Sequence, residues 1–492
     1  MSAYIQGTPR GEQSFLPRCH DDYIDAGNPV RALDAFVDTL EFGGLGFVMR
    51  ERGSVGRPGF HPATLMRIYL WGYLRGTRSS RGLERACRVN LELIWLTGDL
   101  HPDHSVISAF RKDNAALLPG IFSQFTALCV EMGLFGRELM TIDGTFVKAV
   151  NSKARSFTRA KLKKLIAKAE AAAARYLELL DTTDAQEEEQ GGTSGGGGRA
   201  ALEAKLEKIR GRQTRLQGLL EDCGESPTGQ VNLTDPDSVQ LRKNGRSTTG
   251  YNVQAAVDAE HHLVAAVEVT QDGNDKQQLD AMAQKAKAET GLAEKAKLEV
   301  LADAGYPTST ELAACAGHNT TVTAPVPNIS ANPGVYSGAN FERAPGGGGY
   351  ICPAGHLLER KGDKLQDGTL YETYSNRKAC RGCELRALCT KSSYRLLKIN
   401  AHREHVQAAR ERLAANPAAM ARRASIAEHP FGTIKAGGGG ELLCRGKQLA
   451  SAEVNLGFWS YNFKRALEVL GVQGLMRRMR EISAARGALQ AA

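Results

Sequence analysis

Three acidic residues in this chain stand where an acid can reach a substrate. Asp143 in TIDGTF, Asp303 in LADAGYP and Glu428 in AEHPFGTIK each sit at the end of an element beside Gly or Pro, so that the side chain projects from a rigid scaffold. Their oxygens suit hard divalent cations. Mg²⁺ prefers carboxylates together with retained water, and two such ions about 3.5 to 4 Å apart activate a nucleophile and stabilise a leaving oxygen on phosphate. Taken singly, an acid in a turn is more often a cap or a solvated charge. The weight rests on the three together.

A second constellation uses sulfur. Of ten cysteines, six are scattered, whereas Cys352, Cys380, Cys383 and Cys389 cluster, and Cys380 and Cys383 form a CxxC pair. In a reducing compartment such a cluster suggests a metal site before it suggests disulfides. Four thiolates satisfy a tetrahedral structural Zn²⁺ and would close a small loop-rich unit. His356 is an alternative ligand, and a metal-free reduced cluster is the plain reading. His402 and His405 in AHREH stand three apart without a further ligand and read as helix surface.

The elements that must position these groups follow from periodicity. Residues 60–135 repeat apolar positions (Leu65, Ile68, Tyr69, Leu83, Cys87, Trp95) at three- and four-residue steps with arginines between them, which predicts short helices, one capped by Asp103 or Ser105. MTIDGTFVKAV then reads as a strand with an acid in its middle. Residues 157–222 hold two charged helical stretches around the low-complexity loop DAQEEEQGGTSGGGG, a helical hairpin exposed to solvent. YNVQAAVDAE and HHLVAAVEVT form a hairpin turning near 259–262, a helix follows from about Asp275, and KLEVLADAGYP and NTTVTAPV supply further strands. This order predicts an α/β fold, a mixed sheet layered with helices. The expected divisions are a helical N-terminal domain (1–135), read either as a bundle with a solvated basic face or as a DNA-docking domain, the first core strand (136–156), the helical-hairpin insertion (157–230), the core (231–330), a Cys₄ insertion (331–400), a region carrying the late acid (401–470) and a tail (471–492).

Length and composition bound the function. At roughly 100 to 200 residues per domain, 492 residues hold about three domains. Hydrophobic residues make up 42% and charged residues 24%, and no apolar run approaches the ~18 residues of a membrane span, so a membrane protein is not expected. The opening MSAYIQGTPRGEQSF lacks a secretory or organelle signal, which makes the cytoplasm the expected compartment. Lys and Arg number 63 against 54 Asp and Glu, a net charge of +9 that suits an anionic partner without proving one.

Read in order, TIDGTFVKA, GYNVQAAVDAEHHLVAAVEVTQDGNDKQQL, LADAGY, EHPFGTIK and SYNFKRAL resemble the DDE transposases of bacterial insertion sequences, in the branch with an EHPFGTIK box; the resemblance runs from about residue 58 to 467. It implies an RNase H-like core with Asp143 on the first strand, the second and third strands between Gly250 and Thr270, Asp303 after the fourth strand, and Glu428 on the late helix. Asp303 is preferred over Asp258, Asp272 and Asp275 as the second acid because the ADAGY block aligns there, with Asp258 in reserve. The late block pairs its Glu with a Lys seven positions on, which Lys435 matches, although Pro430 and Gly432 argue against a regular helix between them. Arg422 and Arg423 are present upstream, Ala424 stands where a basic residue is expected, and the Gly437–Gly440 run departs from the bulkier residues expected there.

The function so implied is a DNA transposase. It would cut and join element ends by two-metal phosphodiester transfer, with Asp143 bridging two Mg²⁺ (or Mn²⁺) ions, Asp303 and Glu428 each holding one, and Arg423 and Lys435 on DNA. Its partners would be double-stranded DNA, as terminal inverted repeats and as target, and a second copy of the chain; its place would be the cytoplasmic nucleoid, without membrane. The rivals are an RNase H-like nuclease that cuts without joining and a DNA-binding derivative with a dead core.

Overall fold

The computed structural model describes residues 19–48, 59–189, 196–226, 228–243, 245–326, 335–366 and 369–491. The opening segment and the centre of the glycine-rich loop lie outside the described residues. Helices α1 (Pro29–Asp38), α2 (Pro62–Arg75), α3 (Ser80–Val89), α4 (Leu91–Thr97), α5 (His104–Asp113) and α6 (Leu118–Glu131) come first. Local chemistry sets their ends. Asn28 and Asp103 accept the first free N–H groups of α1 and α5, Pro29 and Pro62 open α1 and α2, and Gly76, with φ of 78°, closes α2 in a left-handed turn that a side chain would strain.

The central sheet is built from β1 (Leu139–Lys148), β2 (Arg246–Asp258), β3 (Val264–Thr270), β4 (Leu298–Ala302) and β5 (Thr320–Thr323). β2 runs antiparallel to both β1 and β3, while β4 pairs parallel with β1 and β5 parallel with β4. The spatial order is therefore β3-β2-β1-β4-β5, the RNase H-like arrangement, with the short strand Val239–Lys243 also paired to β2. β2 from Gly250 onward and β3 apart from Glu268 are buried, as a sheet covered by helices on its faces requires. No described helix is long and apolar enough to cross a membrane.

Two insertions interrupt the core. Helices α7 (Arg159–Glu189) and α8 (Gly196–Glu225) form the hairpin, closed at its base by a two-stranded sheet of Ser156–Thr158 and Gln230–Asn232 and by a small cluster of Leu162, Leu216, Leu219 and Cys223. After β5 comes helix-flanked sheet of a different kind: five antiparallel strands between Glu342 and Asn400, with α11 (Arg377–Arg381) and α12 (Arg386–Cys389) carrying cysteines. Among the described residues its buried core is Phe341, Tyr350, Leu358, Tyr374 and Leu397. Helix α10 (Ser309–Gly317), which links β4 to β5, follows α9 (Leu279–Glu289).

The chain then returns through α13 (Arg403–Ala415), α14 (Ala419–Ile434) and α15 (Lys447–Ala491). Helix α14 runs unbroken through Pro430, and residues Lys435–Gly439 extend it as a wider π-helical turn, so the irregularity expected at Pro430 falls later, at Gly438 with φ of 85°. The glycine run has a structural use. A Cβ on Gly439 would lie 2.4 Å from Ile434 Cγ2, and Arg78 donates to the carbonyls of Gly438 and Glu441, which ties α14 to the N-terminal helices. Trp459 on α15, fully buried, stacks with Phe36 and Phe463 and meets Phe125, so one continuous core joins N-terminal helices, sheet and α15. Residues past 470 are the second half of α15 beyond a kink at Gly471, with Leu475 and Met479 buried.

Candidate active site

Register brings two of the three predicted acids together. Parallel pairing of β1 with β4 ends at Ile142 opposite Ala302, so the next residues, Asp143 and Asp303, stand side by side where the two strands part. Each carboxylate is oriented by a local bond: Gly144 N–H donates to Asp143 Oδ1 at 2.8 Å, and Gly305 N–H to Asp303 Oδ1 at 2.7 Å. Asp143 is held under α14, where Arg423 Nη1 lies 3.1 Å from its Oδ2, and both side chains are 15% exposed. Burial pushes the Asp143 carboxyl above its ordinary value, the Arg423 guanidinium opposes that, and the nearby Asp303 charge adds to it.

Glu428 lies five residues beyond Arg423 on the same helix. Its flanks Ala427 and Pro430 are buried, but Glu428 is exposed, and no hydrogen bond or ion pair joins it to Asp143 or Asp303. Lys435 lines a small cavity with Thr145, which is two residues along β1 from Asp143 and so on the same face of the strand, together with Tyr73 and Arg78.

A polar network lies beneath the acids. Asp275, in the loop between β3 and α9, accepts at Oδ1 from Asn252 Nδ2 at 2.9 Å and Gln254 Nε2 at 2.7 Å, while fully buried Tyr306 donates its hydroxyl to Gln254 Oε1. Gly144 makes room for this packing, because a Cβ there would stand 2.5 Å from Gln254 Nε2 and 2.9 Å from Asp275 Oδ1. On the other side, a Cβ at Gly305 would meet Asp303 Oδ1 at 3.0 Å and Asp275 Oδ2 at 3.4 Å, so the two carboxylates flank one point. The signal in the sequence was two amides at alternate positions of an otherwise apolar strand, YNVQAAV, which places both on one face.

The other acids weighed against Asp303 have different work. Asp258, at the far end of β2, is fully buried and accepts from the N–H groups of Gly136, Arg137 and Glu260, which caps the entry into β1. Asp272 accepts from Gln278 Nε2. Asp143, which lies within β1 rather than at an element's end, Asp303 and Asp275 thus gather where β1 and β4 part; carboxylate oxygens are the donors a hard divalent cation takes, although the oxygens of these three do not all come within 4.8 Å of one another.

Cys352, Cys380, Cys383 and Cys389 line one small cavity together with His356. A turn in which Gly355 N–H donates to Cys352 O and Cys352 N–H to His356 O presents the first thiol. Burial raises the Cys389 thiol, with Arg395 pulling it down and the other three cysteines adding to the rise. Among the described residues, the group whose donor atoms all lie within 4.8 Å of one another is His402, Glu404 and His405, at the start of α13, rather than the thiols.

The chain is similar to known families in two places. Residues 18–113 match a transposase domain (DUF772), and residues 351–467 match a transposase DDE domain; these segments lie on either side of the strands that carry Asp143 and Asp303. No curated protein matches the chain. Among solved structures, the cryo-EM structure of the piggyBac transposase synaptic complex with hairpin DNA is 9% identical over 93% of this chain and 80% of that one, at a TM-score of 0.33.

Proposed function

We propose that the chain is a DDE-type transposase, the reading its two matched domains support, and that Asp143 and Asp303, completed by Glu428, form the centre at which it cuts and joins DNA. The observation that carries this is the register of β1 against β4, which sets Asp143 beside Asp303 at the parting of two parallel strands. A DDE domain works with divalent metal, and the oxygen-rich set here suits Mg²⁺ better than a softer ion. Asp143 and Asp303 would hold it, with Glu428 as the further ligand contributed by α14. When bound, such ions lower the pKa of an attacking water and neutralise charge on the leaving oxygen.

The chain's own groups then have defined tasks. Asp143 is pushed up by burial, Arg423 beside it opposes that rise, and the same guanidinium would be within reach of a DNA phosphate brought to the acids. Lys435, on the Asp143 side of β1, faces a neighbouring phosphate. In the first step water attacks phosphorus and the bond to the 3′ oxygen breaks, leaving a 3′ hydroxyl and a 5′ phosphate. In the second, that hydroxyl attacks a target phosphodiester, one P–O bond forming as another breaks, so no external energy source is required. The four cysteines would hold a structural Zn²⁺ that closes the inserted unit. Two DNA ends call for two copies of the chain, acting at the cytoplasmic nucleoid.

The test is Mg²⁺-dependent cleavage and strand transfer on DNA carrying the flanking inverted repeats, comparing wild type with Asp143→Ala, Asp303→Ala and Glu428→Ala. Loss of cleavage in all three with DNA binding retained is expected. Cut ends without joined product would make the protein a nuclease, and binding with no cleavage in Mg²⁺ or Mn²⁺ would leave a DNA-binding derivative.

A further inference from the structure

Beside the loop that follows Asp303 lies a cleft of about 990 Å³, bounded on its far side by the inserted sheet and by α13. That volume is at the upper end of the range for sites that take a bound molecule. Ala304 and Gly305, the two residues after Asp303, form part of its lining, so the cleft opens directly from the acid cluster. Its walls are fixed: Arg412 Nε donates to Val322 O at 3.0 Å, which anchors α13 to the edge of the core sheet.

Helix α10 begins in this cleft. Thr308 is its N-cap, with the side chain accepting from Glu311 N–H, and the next residue, Ser309, lines the cleft. The first N–H groups of a helix have no acceptor within it, and the helix dipole puts partial positive charge at that end. Ser309 is only 3% exposed, yet its buried hydroxyl has no hydrogen-bond partner among the described residues. Buried polar atoms are ordinarily paired, so this hydroxyl calls for a partner from outside the chain, a water, an ion or a ligand. The acid of the first turn, Glu311, is turned away, its Oε2 accepting from Asp280 N–H at 3.0 Å.

Charge narrows the ligand. Lys276, Arg403 and Arg410 line the cleft against one acid, Glu404. Arg403 Nη1 is held by the Tyr350 hydroxyl at 2.8 Å, which keeps a guanidinium at the cleft. A helix N-terminus, a buried hydroxyl and a surplus of cations make an oxyanion site.

We propose that this cleft binds a backbone phosphate of the DNA strand next to the one being cut, held by the N-terminus of α10 and Ser309 and flanked by Arg403 and Arg410. The assignment rests on the reading of Asp143 and Asp303 as the cutting centre, since their loop opens into the cleft. Its role is positional: gripping the strand a short way from the scissile bond fixes which phosphate meets the acids.

The experiment measures binding of a fluorescein-labelled duplex by the full-length chain, by anisotropy, between about 50 and 200 mM salt. Removing two phosphate-contacting cations in Arg403→Gln/Arg410→Gln should lower the slope of log affinity against log salt by about 2. Ser309→Ala removes a hydroxyl that has no partner among the described residues, without adding bulk or charge at a buried position, and should weaken binding without lowering the melting temperature. Methylphosphonate in place of the phosphates flanking the cut should remove both differences. Variants that bind with the wild-type slope and affinity would overturn the cleft assignment, as would a difference that persists on methylphosphonate DNA. Inorganic phosphate abolishing the difference at constant ionic strength would reassign the cleft to free phosphate. Asp143→Asn is the reference: if it and wild type bind DNA with no salt dependence, the transposase reading fails too, whereas normal binding with silent cleft variants removes the cleft alone.

Discussion

In the central sheet, β1 to β5 are packed between helices, and their shared hydrophobic core runs on into the N-terminal helices and α15. The inserted sheet has as many strands as that β1-to-β5 path, but its own core is five side chains, and its strand Leu357–Gln366 is mostly exposed. The difference is one of means. A large core can hold two carboxylates side by side against their mutual repulsion, because strand register is already fixed by everything around it. A unit with so little buried surface cannot fix its own geometry and needs a staple, for which four thiols around one cavity are suited.

The comparison breaks first at the acids. Asp143→Asn or Asp303→Asn should lower DNA cleavage by at least about 10³-fold, with thermal melting near the wild-type value for Asp303, which is only half-buried, and lower by no more than the loss of its ion pair with Arg423 for Asp143. A parallel fall in melting temperature would mean that the acids are part of the scaffold.

The opposite outcome is expected at the thiols. In Cys380→Ser, or after treatment with a strong zinc chelator, amides of Leu357–Gln366 and Thr369–Ser375 should exchange with solvent as in an unfolded chain, while those of β1, β2 and β4 keep their protection, read by hydrogen exchange with mass spectrometry. Unchanged exchange in the inserted strands would show that the small core suffices.

Asp258 sharpens the contrast within the core itself. Asp258→Ala leaves three N–H groups without their acceptor and should cost about 3 kcal/mol by denaturant unfolding, although this acid has no part in the chemistry. In the hairpin, Leu216→Ala should cost about 2 kcal/mol locally and leave cleavage unchanged, because its cluster is separate from the main core.

The finest test concerns pH. Burial raises the folded Asp143 carboxyl above its unfolded value, so the protonated form persists further up the pH scale, and Mn²⁺ binding followed by electron paramagnetic resonance should fall away at a pH above the ordinary carboxylate range. Arg423→Gln removes the cation that opposes this rise, so the loss should move to still higher pH. A shift downwards would show that Arg423 does not hold Asp143 ionised.

Much of the scaffold could be read from residue pattern. Periodicity located the N-terminal helices and narrowed one cap to Asp103 or Ser105, of which Asp103 is the cap, alternation and turn residues marked β2 and β3, and the blocks around Asp143, Asp303 and Glu428 implied their elements. Pro430 misled, because a proline costs a helix one hydrogen bond and a clash that packing against β1 and α15 offsets, and the break moved to glycines that Arg78 grips. Asp275 gives way to Asp303 in the sequence because the ADAGY block aligns at Asp303; its own partners, Asn252 and Gln254, come from β2 and are out of reach of local spacing.

The sequence alone determined which residue types exist, where helices and strands start and stop, and that oxygen and sulfur donors fall in separate blocks, since these depend on neighbours a few positions apart. Only the tertiary structure decided that Asp143 meets Asp303 while Asp258 caps a turn, that Arg423 reaches Asp143 while Glu428 faces outward, and that Ser309 opens into a basic cleft. Those outcomes depend on strand register and helix packing, which join residues more than a hundred positions apart and leave no trace in local spacing.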